Sequence, residues 1–84
     1  MSNYYFTFGS HEAYPFGRAD YVMVSAENMD EAAKLFQARH PNRPGSNCYN
    51  CASIYEEDEF NSFREKYYKD RLPVEKIEVT VNEN

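Results

Sequence analysis

The spacing of apolar and polar positions changes several times along the chain, and each change marks an element. Tyr4-Tyr5-Phe6-Thr7-Phe8 is a run suited to a pleated surface that stops at Gly9-Ser10, and it predicts a first strand. From Gly9 to Ala19 the chain mixes Gly, His, Pro and Arg with aromatics and reads as an irregular loop. Tyr21 to Ala26 then predicts a second strand, with Val22, Val24 and Ala26 on the expected core face and Tyr21, Met23 and Ser25 on the other.

Asn28 followed three residues later by Glu31 has the form of a helix start, because a short polar side chain there can accept from a free backbone N–H. Met29, Ala32, Ala33 and Phe36 recur at helical spacing, with Leu35 widening the stripe, and Pro41 ends the helix at His40. Pro41 to Asn50 is rich in Pro, Gly and Asn and reads as a second long loop. Cys51 to Tyr55 predicts a third strand. Glu56-Glu57-Asp58-Glu59 opens a second helix, where acids suit the positive end of the dipole; Phe60, Phe63 and Tyr67 form its stripe, and Leu72-Pro73 closes it. Ile77, Val79 and Val81 alternate with Glu78, Thr80 and Asn82 and predict a fourth strand with one wet face.

The order ββαβαβ predicts a single α+β domain over residues 1–84, with a mixed or antiparallel four-stranded sheet packed against two helices. Phe6, Phe8, Val22, Val24, Phe36, Ile54, Phe60, Phe63, Ile77 and Val79 are expected to meet in one core.

Size changes the picture only by making that core thin. A chain of 84 residues is one domain, burying about 60% of its unfolded surface. Eight Tyr and six Phe exceed what a core of this size hides easily, so some Tyr rings are expected at the surface, a composition suited to recognition. The net charge of −5 argues against binding to a nucleic-acid backbone and suits a basic groove on a partner protein. No apolar run reaches the length of a membrane span, and the two cysteines are too few for a disulfide scaffold, so the expected location is the cytoplasm.

Candidate chemistry is sparse. Cys48-Tyr49-Asn50-Cys51 has the spacing of half a zinc site, but its remaining ligands would have to be the distant His11 and His40, and the pair fits unrelated thiols better than zinc ligands, a redox motif or a disulfide. Neither a metal, a cofactor nor a catalytic residue is expected. His11, Glu12, Tyr14 and Arg18 stand in the first long loop, where polar groups are presented between aromatics; His11, Tyr14 and Arg18 are candidate partner-binding residues. Arg39, His40 and Arg43 form a compact basic cluster able to hold an anion such as a nucleotide phosphate, although cations at a helix end also stabilise the dipole unaided. Glu56, Glu57, Asp58 and Glu59 are the sharpest charge feature and the main candidate contact for a basic partner.

With Tyr4-Tyr5-Phe6-Thr7-Phe8-Gly9 at the start, Asp20-Tyr21-Val22-Met23-Val24 before a helix and Ala33 to Phe36 within it, the first half resembles small uncharacterised proteins of phages and prophages. That resemblance implies an accessory or host-takeover role in the host cytoplasm, including inhibitors of bacterial immunity such as anti-CRISPR proteins. The combined expectation is a non-catalytic inhibitor that docks an acidic, Tyr-rich surface on a host or defence protein. The rival expectation is a protein that binds or sequesters a small anion.

Overall fold

A computed structural model describes residues 1–9, 14–41 and 51–78. Its strands are β1 (Ser2–Thr7), β2 (Tyr21–Ala26), β3 (Ser53–Glu56) and β4 (Glu75–Glu78), and its helices are α1 (Met29–Arg39) and α2 (Glu57–Tyr67). They follow the predicted order ββαβαβ. The sheet runs β3-β1-β2-β4 and is mixed: β1 is antiparallel to both β2 and β3, whereas β4 lies parallel to β2.

Register decides what each face carries. Tyr4 faces Val24 and Phe6 faces Val22 across β1 and β2, while Tyr5 faces both Met23 and Tyr55. The even-numbered set points to α1, where Tyr4, Phe6, Phe8, Val22, Val24, Ala32, Phe36 and Ile77 form one cluster, with Phe6 stacked on Phe36 at 4.5 Å between ring centroids. The odd-numbered set points to α2, where Tyr5, Tyr21, Phe60 and Tyr68 form a second cluster, with Tyr5 stacked on Phe60 at 4.3 Å and 3° between planes.

The expectation of a single core is therefore corrected: the helices cover opposite faces and the sheet is the middle layer. Phe6, Phe8, Val22, Val24, Phe36, Phe60 and Ile77 are buried as expected, but Ile54 and Phe63 are only half-buried at the margins of their clusters. Val79 lies outside the described residues. Two packed faces also explain how so short a chain hides so many rings. Tyr21, first read as facing away from the core, is fully buried with its hydroxyl donating to the Arg71 carbonyl at 2.8 Å and accepting from Arg64 Nη2 at 3.0 Å.

The helix ends follow the local chemistry. Asn28 Oδ1 accepts from the Glu31 amide at 2.8 Å, and Glu31 Oε1 in turn accepts from the amide of Glu27 at 3.2 Å, one residue earlier than the standard box. Strand β3 passes into α2 with no loop, Glu56 ending the strand and capping the helix. Beyond α2, Asp70 takes the left-handed φ of 61°, a conformation short polar residues tolerate, and turns the chain toward β4.

Candidate functional site

Helix α2 places two contrasting features at its two ends. Its first turn carries Glu57, Asp58 and Glu59 directly after Glu56, all of them exposed. Among the described residues none of these acids is in an ion pair. Glu57 Oε1 accepts from Tyr5 Oη and from Asn3 Nδ2 of β1, each at 3.3 Å, and Glu59 Oε1 lies 3.5 Å from the Glu56 amide. Among the described residues Asp58 carries no such bond, so it is the member of the group most available to an outside cation. Glu57 has a second effect, because its charge and hydrogen bond add to burial in raising the Tyr5 hydroxyl above its usual pKa.

The other end of α2 borders an open groove of about 600 Å³, lined chiefly by Phe8, Arg18, Tyr55, Phe63, Tyr67 and Tyr68. Three sources converge on it: the end of β1, the loop that carries Arg18, and the face shared by β3 and α2. Its wall is a chain of edge-on rings. Tyr55 meets Phe63 at 4.8 Å and Phe63 meets Tyr67 at 6.0 Å, both with steeply inclined planes. Tyr68 closes the floor, stacked obliquely against Phe60, and burial pushes its hydroxyl pKa up. Tyr67 is 62% exposed, so the wall is open to solvent along its upper edge.

Of the residues singled out in the first loop, Arg18 lines this groove, whereas Tyr14 lies against Phe8 on the α1 side, its ring close over Gly9. A Cβ at Gly9 would stand 3.1 Å from that ring, close enough that the ring would have to shift by a few tenths of an ångström. His11, Arg43 and Cys48 lie outside the described residues.

The cluster at the end of α1 has an internal partner that sequence spacing does not reveal. Arg39 Nε sits 3.1 Å from Glu75 Oε2 and His40 Nε2 2.7 Å from Glu75 Oε1, so the guanidinium and the imidazole both hold one carboxylate of β4. An anion arriving there would have to displace Glu75. The His40 ring is also fixed by Phe16 and Phe36, at 5.2 and 5.1 Å between centroids.

Cys51 is a buried free thiol in the α1-side cluster, its pKa pushed up to about 11 by desolvation. Such a thiol is a poor nucleophile and a poor metal ligand near neutrality. Among the described residues no three His, Cys, Asp or Glu side chains come together as a metal site would require, and no helix is long and apolar enough to cross a membrane.

Sequence reading missed Tyr55, Phe63, Tyr67 and Tyr68 as a surface. Phe63 and Tyr67 were assigned to the helix's core stripe, and only the doublet Tyr67-Tyr68 hinted that the stripe turns outward, since adjacent helical residues cannot both face the sheet. Comparison with protein-family models, curated proteins and solved structures found no match.

Proposed function

We propose that this chain is a non-catalytic binding protein that docks the outer side of α2 on another protein. The observation that carries this reading is the exposure of the first turn of α2, which bears acids that make no ion pair among the described residues, together with the solvent-open Tyr67 at the helix's last position. Charge at Glu56 to Glu59 steers a basic partner surface, and aromatic area supplies the contact that holds it. The partner class proposed here, a host or defence protein that the chain inhibits, rests only on the resemblance read from the first half of the sequence.

The test uses the whole chain as bait in a host lysate, with captured proteins identified by mass spectrometry. Asp58→Lys reverses the charge that holds no internal bond, and Tyr67→Ser removes the exposed ring; neither touches a buried contact. A protein captured by the parent and lost from both variants is the expected result. Equal capture by all three chains places the binding surface elsewhere.

A further inference from the structure

The geometry points to a second capacity in the groove at the far end of α2: it is a site for a free planar aromatic ring that carries an anionic group, a carboxylate or a phosphate. Volume is the first argument. About 600 Å³ lies within the range of small-molecule pockets and far exceeds what one partner side chain would fill. The second is the lining, because Tyr55, Phe63, Tyr67 and Tyr68 present a continuous aromatic wall against which a flat ring can stack or sit edge-on.

Charge fixes the remaining group. Arg18 is exposed at the groove and, among the described residues, makes no ion pair. Lys66 Nζ lies 5.4 Å from the centre of the Tyr67 ring but does not itself line the groove, so Arg18 is the cation that faces it. Asp20, close enough to act electrostatically on Tyr68, is already engaged by the Gly17 amide at 2.9 Å and by Arg71 at 3.8 Å. A guanidinium beside aromatic faces is suited to a planar anion, since it can form two parallel bonds to its oxygens. The acidic turn, by contrast, lies at the opposite end of the helix, roughly 13 Å away along its axis.

The experiment is a titration of the ¹⁵N-labelled full chain, followed by amide shifts, with naphthoate, adenosine monophosphate and uncharged naphthalene methanol. Naphthoate or adenosine monophosphate should give saturable shifts centred on Thr7, Arg18, Ala19, Tyr67 and Tyr68, and the tighter of the two identifies the anion. Naphthalene methanol should bind roughly tenfold more weakly, Arg18→Gln should weaken the anions by a similar factor, and Tyr67→Ala should cost roughly fivefold. Asp58→Lys should leave these affinities within about twofold, because the charge is beyond a Debye length, which separates this site from the docking surface. No saturable shift with either anion, equal binding of the uncharged analogue, or indifference to Arg18→Gln with the rest of the spectrum unchanged overturns the inference.

Discussion

Replacing Phe60 by Ala probes the cluster under α2, where the sequence reading and the structure part company. Phe60 is fully buried, stacked on Tyr5 at 4.3 Å, and within 4.8 to 5.4 Å of the rings of Tyr21, Tyr68 and Phe63. Removing an aromatic side chain that buries roughly 150–250 Å² forfeits about 4–6 kcal/mol at 25 cal/mol per Å², an upper value because the unfolded chain is itself partly compact. Alanine's better helix propensity returns about half a kcal/mol. A net loss of about 3–4 kcal/mol is expected, within the usual span for Phe→Ala in cores and a large share of the roughly 4–13 kcal/mol open to a chain of this length. Urea unfolding followed by far-ultraviolet circular dichroism should show the midpoint falling by about 3 M at an m-value near 1 kcal/mol per M. Phe63→Ala, at a half-buried position, should cost about 1–2 kcal/mol. If Phe60→Ala melts like the parent, or Phe63→Ala costs as much, the second cluster is not a core.

Other perturbations test the remaining links. Asn28→Ala should lose about 1 kcal/mol through the missing cap on α1, measured by the same unfolding curves. Glu75→Gln should release the grip of Arg39 and His40 on β4 and cost about 1 kcal/mol, with faster amide exchange in β4 than elsewhere in the sheet. Cys51 should react slowly with iodoacetamide in the folded protein at pH 8 and quickly in urea, read residue by residue by peptide mass spectrometry; fast labelling in the native state would contradict its burial. Because the Cys51 thiol holds its proton more tightly when folded, stability should be intact below pH 9 and fall toward pH 11, as the unfolded chain ionises first. The raised Tyr5 and Tyr68 hydroxyls act in the same direction.

Element order was legible because the chain's local signals agree with one another. Period-two alternation located β2, the Asn28 and Glu31 pair located α1 to the residue, and the acids before Phe60 located the start of α2. Which face each helix covers was not legible. Alternation in β1 and β2 sets Tyr5 and Tyr21 against Phe6 and Val22, but Tyr on a strand is equally compatible with a wet face or a second core, and only the packing of Phe60 decides. The partner of Arg39 and His40 was hidden for a related reason: Glu75 is 35 residues from His40 and approaches it only through the β2–β4 pairing.

The candidate surface divides in the same way. The acids of α2 could be named from composition alone, since charge at a helix start is a local property. The groove could not, because it is assembled from β1, β3, α2 and the loop bearing Arg18. Its aromatics look in sequence like any other core stripe, yet Tyr67 is exposed whereas Phe60 is fully buried.

The central claim, that the acidic first turn of α2 steers docking on a partner by charge, is tested most directly by association kinetics with the captured partner. Association rates of the parent chain and of Asp58→Lys are measured at low and at physiological salt. The account predicts severalfold slower association for Asp58→Lys at low salt, with the gap closing as salt screens it and the dissociation rate little changed. Identical association rates at both salt concentrations would contradict it.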